Sequence, residues 1–241
     1  MRRASLVARI RARQAAGLMP VLAEIKVRSP KEGDLLRGRR PTDLAMVYLS
    51  RPVAGISVVT EPAQFGGSLD IVRGVAALGD VPILRKDFLL DRASMEETAA
   101  AGATAVLLTV SLLGMDTLAA LHADARACGL ETLVETHSAE ELAALIEHGL
   151  TPDLLGINNR DIRVGEVDAG DVRLTERIAW RVPPGWLVLS ESAIANADDA
   201  RRARDAGADA VLVGTAILQA PDPATKIDEL IGVGWRTAGG R

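Results

Sequence analysis

Eight short apolar runs alternate with amphipathic stretches of helical length, and this repeat constrains the fold more than any other feature of the chain. The runs end at Lys26, Thr60, Lys86, Thr109, Glu135, Asn158, Glu191 and Gly214. From residue 86 to residues 109, 135 and 158, successive ends lie 23 to 26 positions apart. Alternating strands and helices form a parallel sheet, and eight such units close a barrel. The sequence therefore predicts an α/β fold, a single (β/α)8 TIM barrel.

The stretches between the runs carry helix signals. Ser138 and Glu141 have the spacing of a capping box, and the helix that they open is expected to end at Gly149. Gly102 and Gly207 are expected to end two further helices in the same way. We predict a short N-terminal helix within residues 1–20 and a catalytic barrel over residues 21–235, with no linker between them.

Composition excludes several classes of protein. The 241 residues match the length of one barrel, about 250 residues. A net charge of −4 does not indicate the basic surface that nucleic-acid-binding proteins carry. No apolar run approaches the roughly 20 residues that a helix needs to span a bilayer. The lone Cys128 and three scattered histidines predict neither a disulfide nor a metal site. We therefore expect a cytoplasmic protein without a metal site and with no nucleic-acid or membrane partner. A monomer is our expectation for its oligomeric state, with a weak homodimer as the alternative.

Lysine is rare in this chain and stands at informative positions. Of the 28 basic residues only Lys26, Lys31, Lys86 and Lys226 are lysines, which leaves 24 arginines. Lys26 and Lys86 each end an apolar run. An ammonium can give up its proton whereas a guanidinium practically cannot, so lysines at these two strand ends indicate proton chemistry.

The C-terminal ends of barrel strands converge on one mouth, where barrel active sites lie. The polar residues expected there are Glu24, Lys26, Lys86, Glu135, Asn158, Arg160, Glu191 and Ser192. Crowded carboxylates and ammoniums drive their pKa values apart, which leaves one group as an acid and another as a base. The alternative is a set of ion pairs that only hold the strand ends together. His137, just beyond this set, is expected to be a solvated loop histidine.

A phosphate site is indicated separately, because barrels often bind anions at the loops after strands seven and eight. Ser192 follows the seventh run, and Gly214 and Thr215 follow the eighth. Gly214 allows close approach of the backbone, and Ser29 after the first run adds a hydroxyl.

Several segments together resemble the indole-3-glycerol phosphate synthase family. They include Ala-Glu-Ile-Lys at 23–26, Phe-Gly-Gly-Ser at 65–68, Lys-Asp-Phe at 86–88, Leu-Val-Glu at 133–135, Ile-Asn-Asn-Arg at 157–160 and Ser-Glu-Ser at 190–192. The resemblance runs from about residue 21 to about residue 218. It implies closure of the indole ring of 1-(2-carboxyphenylamino)-1-deoxyribulose 5-phosphate with loss of carbon dioxide and water, without a cofactor.

The resemblance also implies roles for individual residues. Lys86 is the proton donor to the ketone carbonyl, and Glu135 manages the proton lost in dehydration. Lys26 is a second acid candidate, while Glu24 and Glu191 orient the lysines and bind substrate hydroxyls.

Further implied roles concern the network and binding. Asn158 orders the polar network and Arg160 assists with the substrate carboxylate. The implied aryl pocket consists of Phe65, Phe88, Leu107, Thr109 and Ile162. The implied phosphate ligands are Ser29, Ser192, Gly214 and Thr215.

Three departures from the family pattern keep alternatives open. The family has a longer N-terminal extension over the mouth than the stretch before Val21, and Thr109 replaces an aliphatic pocket residue. Ala193 replaces a glycine beside the phosphate, so we expect crowding there or a different backbone angle. The alternatives are a paralogue that acts on a related N-aryl ribulose phosphate in specialised metabolism, and a catalytically silent barrel that binds a phosphorylated metabolite or a partner enzyme.

Overall fold

A computed structural model describes residues 4–88, 91–160 and 170–235, and it confirms the predicted barrel. Eight parallel strands follow one another around a closed sheet, and the first strand pairs with both the second and the eighth. The strands are Val21–Ile25, Gly55–Val59, Ile83–Lys86, Ala105–Thr109, Glu131–Thr136, Leu154–Asn158, Val188–Glu191 and Ala210–Val213. A hairpin of Arg28–Ser29 and Gly33–Asp34 lies outside the barrel sheet, after the first strand.

Alternation along each strand separates two apolar layers. In the first strand, Val21 and Ala23 belong to the large cluster between the sheet and the helices, whereas Leu22 belongs to a smaller cluster. The smaller cluster also contains Leu84 of the third strand and Leu133 of the fifth. Because successive side chains of a strand point to opposite faces, these leucines fill the barrel interior. Residues two positions further along each strand face the same interior.

Helices lie around this barrel and across one of its ends, and three of them end at the glycines that the sequence predicted. They are α1 (Leu6–Ala15), α2 (Pro41–Leu49), α3 (Leu69–Ala76), α4 (Arg92–Ala101), α5 (Val110–Leu113), α6 (Met115–Ala127), α7 (Ala139–His148), α8 (Arg173–Ile178), α9 (Ala197–Ala206), α10 (Thr215–Gln219) and α11 (Pro223–Ile231). Gly102, Gly149 and Gly207 end α4, α7 and α9 in the left-handed conformation, as predicted. Among the described helices, none is long and apolar enough to cross a membrane.

Helix α1 closes one end of the barrel. Its backbone N–H at Leu6 donates to the carboxylate of Glu131, the first residue of the fifth strand, at 2.6 Å. Gln14 donates to the backbone oxygen of Asp209, just before the eighth strand. Leu6 and Ile10 are fully buried and join the cluster inside the barrel. The helix therefore covers the N-terminal ends of the strands, opposite the end where the polar residues were expected.

Candidate active site

Strand alternation brings most of the predicted residues together at the C-terminal end of the barrel. Lys86 and Glu135 stand two positions after the interior residues Leu84 and Leu133, so they face the same interior. An open cavity of about 820 Å³, which includes the space at its mouth, lies there. The predicted residues that line it are Glu24, Lys26, Phe65, Lys86, Phe88, Leu107, Glu135, Asn158, Arg160, Glu191, Ser192, Gly214 and Thr215.

Three predicted residues are not part of this described lining. The buried Ser29 hydroxyl accepts the N–H of Glu32 at 3.0 Å and closes the turn of the short hairpin. Thr109 is also buried, and its hydroxyl donates to an oxygen of Glu135 at 3.4 Å. It therefore contacts a residue of the cavity without lining the cavity itself. Ile162 lies outside the described residues.

Lys86 is the centre of the polar network. Its Nζ donates to Oε2 of Glu135 at 2.8 Å and to Oε2 of Glu191 at 2.9 Å. The amide of Asn158 donates to the same Glu135 oxygen at 3.1 Å. The side chain of Lys86 is 21 % exposed, whereas that of Glu191 is 1 % exposed. Lys86 therefore lies between two deeply buried carboxylates and reaches the open cavity.

Burial and charge drive the pKa values of these groups apart. Burial alone would lower the pKa of Lys86, but the carboxylates of Glu135 and Glu191 outweigh it and raise that pKa above its ordinary value. Burial opposes ionisation of Glu135, yet Lys86 and other donors hold its pKa below the ordinary range. Burial, with the charge of Glu135, raises the pKa of Glu191 to about 7. The two carboxylates beside Lys86 therefore differ in acidity, and Glu135 favours its ionised form more strongly than Glu191 does.

A second lysine shares the cavity. Nζ of Lys26 lies 3.4 Å from Oε1 of Glu24 and 5.8 Å from the centre of the Phe65 ring. A β-carbon at Gly214 would lie 2.5 Å from that same oxygen of Glu24. Gly214 is therefore required for the position of Glu24, a reason that the sequence did not indicate.

A buried arginine supports the loop after the third strand, and sequence reasoning missed this role. Arg85 donates to Thr60 and to Asp87, in both cases at 3.0 Å, and Thr60 donates to the same carboxylate at 2.6 Å. The other oxygen of Asp87 accepts the N–H of Phe88 at 2.8 Å. This network fixes the chain on both sides of Lys86. Its signal in the sequence is the Arg-Lys-Asp run itself.

Asn159 supports the loop after the seventh strand. Its amide nitrogen donates to the backbone oxygens of Glu191 at 2.9 Å and Ser192 at 3.3 Å, while its oxygen accepts from Thr175. Ser192 and Ala193 have φ angles of 65° and 58°. Ala193 thus occupies the left-handed region that favours glycine, the residue that the family pattern has at this position.

The interpretation of His137 as a solvated loop residue is wrong. Its side chain is only 2 % exposed. The ring lies between two carboxylates, with Nε2 at 3.4 Å from Glu135 and Nδ1 at 3.6 Å from Glu141. The position just after a strand suggested exposure, but the first turn of α7 folds over it.

Comparison with known proteins agrees with the resemblance found in the sequence. A family model described as "Indole-3-glycerol phosphate synthase" matches residues 2–230. An indole-3-glycerol phosphate synthase of Thermococcus kodakarensis is 44 % identical over 213 residues, which cover 88 % of this chain and 92 % of the relative. One of Pyrococcus furiosus is 42 % identical over 221 residues, or 92 % and 95 % of the two chains.

A solved structure provides a comparison of the fold alone. Thiamine phosphate pyrophosphorylase from Pyrococcus furiosus superposes with a TM-score of 0.64 at 17 % identity, and the match covers 92 % of this chain and 96 % of that one. At such low identity it supports the barrel and says nothing about the reaction. The family match and the relatives above 40 % identity are decisive, because they span nearly all of the sequence. The chain belongs to the indole-3-glycerol phosphate synthase family.

Proposed function

We propose that the protein closes the indole ring of 1-(2-carboxyphenylamino)-1-deoxyribulose 5-phosphate to give indole-3-glycerol phosphate, carbon dioxide and water. One observation carries this proposal beyond family membership. The Nζ of Lys86 lies in an open cavity within 2.9 Å of two carboxylates whose pKa values are shifted in opposite directions. Such a pair separates the acid and base functions that ring closure followed by dehydration requires.

In the first step Lys86 is the acid. The aryl carbon that bears the carboxylate attacks the ketone carbon, and the electron pair of the carbonyl double bond moves to oxygen. The ammonium of Lys86 stabilises this developing charge and transfers a proton to it. Glu191 lies 2.9 Å from the same nitrogen, and its pKa of about 7 suits it to return a proton to Lys86.

The later steps use Glu135 as the base. Loss of carbon dioxide returns the electron pair of the broken bond to the aryl ring and restores its aromaticity. The new hydroxyl then leaves as water with a proton from Lys26 or from Lys86, while the adjacent methylene carbon gives up a proton. Glu135 takes this proton, since its carboxylate is ionised and Asn158 orients it at 3.1 Å.

The remaining cavity residues bind the substrate. Phe65, Phe88 and Leu107 contact the aryl ring, and Arg160 assists with its carboxylate. Ser192, Gly214 and Thr215 bind the phosphate at the adjacent ends of strands seven and eight, whose pairing brings Leu212 beside Glu191. Glu24 orients Lys26 across 3.4 Å and meets substrate hydroxyls. Aryl contacts by Thr109 and Ile162 and a phosphate contact by Ser29 stay predictions.

The cellular setting rests on the same proposal. A biosynthetic enzyme with a small phosphorylated substrate acts where that substrate is made, so we propose the cytoplasm. The monomer, with a weak homodimer as the alternative, stays a prediction.

One assay tests the function. Purified protein is supplied with the carboxyphenylamino-deoxyribulose phosphate, and indole fluorescence is followed. We expect turnover in the wild type, none in Lys86→Met, and wild-type turnover in Lys226→Met, which changes a lysine on α11 outside the cavity. Binding without turnover in the wild type would favour the silent barrel. Turnover only with a differently substituted aryl group would favour the paralogue.

A further inference from the structure

His137 is a buried titratable group that the reaction scheme above does not use. It follows the fifth strand directly and stands two residues after Glu135. Neither ring nitrogen makes a hydrogen bond of ordinary geometry within the described part of the chain. The nearest charged atoms are instead Oε1 of Glu135 at 3.4 Å and Oε2 of Glu141 at 3.6 Å. Buried polar groups are normally hydrogen-bonded, so the position of this ring beside the proposed base requires an explanation.

The first turn of α7 holds the histidine in this place. Ser138 caps the helix by accepting the N–H of Glu141 at 3.2 Å. In a capping box, the glutamate reaches back to the N–H of the capping residue. Here Glu141 reaches one residue further and accepts the N–H of His137 at 2.7 Å. The same Glu141 oxygen therefore fixes the backbone of His137 and faces its ring.

The two oxygens of Glu135 have different neighbours. Oε2 accepts from Lys86 and from Asn158, whereas Oε1 faces His137 and the hydroxyl of Thr109. The charged groups that act on the imidazole are Glu135 from the fifth strand, Glu141 from α7 and Lys86 from the third strand. Burial opposes the charged ring, but the two carboxylates outweigh both burial and Lys86 and raise the pKa of His137 above its ordinary value.

We propose that His137 is a positioning residue for the proposed ring closure: it holds Oε1 of Glu135 so that Oε2 stays directed at Lys86 and the substrate. The inference rests on the proposed function, because it assigns His137 to the base of that reaction. The charged imidazole also favours the ionised form of Glu135, so its loss should leave a weaker and less ordered base at acidic pH.

Two substitutions separate position from charge. His137→Asn has a side chain too short to reach Glu135. We expect kcat to fall about tenfold or more while KM changes less than about twofold. The acid limb of the pH profile should move to higher pH, because Glu135 loses a cationic neighbour. His137→Gln restores a neutral donor near Nε2 and should recover part of kcat without restoring the wild-type acid limb. His148→Gln, at the other end of α7, is the matched control and should behave as wild type.

A second measurement does not depend on turnover. Imidazole carbon resonances, followed by NMR against pH, should show His137 of the wild type titrating above 6.5, and Glu135→Gln should lower that midpoint. A wild-type midpoint at or below 6.5, or kinetics of both His137 variants equal to those of the control, would overturn the inference. If the wild type is inert towards the substrate, the proposed function fails, and the NMR titration alone decides whether His137 and Glu135 interact. The same NMR titration of the wild type remains the test in the event that the His137→Asn variant fails to fold.

Discussion

Gly156 lies directly against the carboxylate of Glu191: a β-carbon at position 156 would come within 2.2 Å of its Oε1. No side chain tolerates such a contact, and the carboxylate has little room to move because it is 1 % exposed. Glu191 holds Nζ of Lys86 through its other oxygen. Because position 156 of the sixth strand is a glycine, Glu191 can occupy the place from which it holds Lys86, the proposed proton donor.

Gly156→Ala should lower kcat by displacing residues of the proposed active site. The methyl group would displace Glu191 and with it Lys86, and a displacement of about 1 Å at such a site costs about 100-fold in kcat. The crowding should also lower the free energy of unfolding by about 1–3 kcal/mol. Steady-state kinetics and urea unfolding measure both effects. Gly74→Ala is the control, since its β-carbon would meet only a methyl of Thr42 at 3.1 Å, far from the cavity. Full activity of Gly156→Ala would contradict the role of this contact.

Stability should depend on pH through Glu191. Its pKa rises from an ordinary 4.5 to about 7 in the folded protein. Between these values the folded state binds more protons than the unfolded state, so the free energy of unfolding should fall as pH rises. The lowered pKa of Glu135 acts below this window instead. Urea unfolding at about pH 5 and about pH 7 measures the slope, and Glu191→Gln should flatten it. An equal slope in that variant would rule out Glu191 as its origin.

Lys86→Arg separates proton donation from charge. A guanidinium can still pair with Glu135 and Glu191, so the variant should fold with near-normal stability, but it practically cannot release a proton. We expect kcat to fall by about 10²–10⁴-fold. Stopped-flow fluorescence on the substrate, together with circular dichroism, measures the two properties. If the arginine variant kept kcat within about tenfold of wild type, Lys86 would contribute only its charge.

Ala193→Gly should relieve backbone strain. A left-handed φ of 58° costs an alanine about 1–2 kcal/mol, and the greater freedom of an unfolded glycine offsets part of the gain. The free energy of unfolding should therefore rise by at most about 1 kcal/mol, and KM should fall as the loop accommodates the phosphate. Ala206→Gly in ordinary helical backbone should change stability in the opposite direction. An unchanged KM would count against a phosphate contact of this loop.

Leu6→Ala should separate stability from activity. Leu6 is fully buried in the interior cluster at the end of the barrel away from the cavity. Its truncation should cost about 2–5 kcal/mol of unfolding free energy and leave kcat/KM unchanged at temperatures where the variant is folded. Leu78→Ala is the control, because Leu78 is 37 % exposed and should cost little. A loss of kcat/KM in folded Leu6→Ala would couple the closed end of the barrel to the site.

Local patterns were enough to predict the fold and most of the cavity. Lys86, Asn158 and Glu191 end apolar runs in the sequence, and each is the last residue of a barrel strand in the structure. Side chains alternate between the two faces of each strand, and eight strand-helix units close the barrel. These two rules determine which side chains converge, so the residues of the mouth can be predicted without coordinates. The left-handed glycines after α4, α7 and α9 have equally local causes.

Features that depend on how strands pair and on where a helix folds back could not be predicted from these local patterns. Gly156 meets Glu191 only because the sixth and seventh strands pair in one register, with Asn158 beside Glu191. His137 was misjudged because its burial depends on where α7 folds back, and Glu141 bonds a backbone group outside the usual capping pattern. The sequence indicated no role for Asn159, because its partners Thr175 and Ser192 lie 16 and 33 positions away.

Helix α1, fastened across the N-terminal ends of the strands by Glu131 and Asp209, has a practical consequence. Ser5 caps this helix and donates to Glu131, so a linker that replaced the residues before Ser5 would start at the end of the barrel away from the mouth. Immobilisation through such a linker should leave diffusion of substrate to the cavity unhindered.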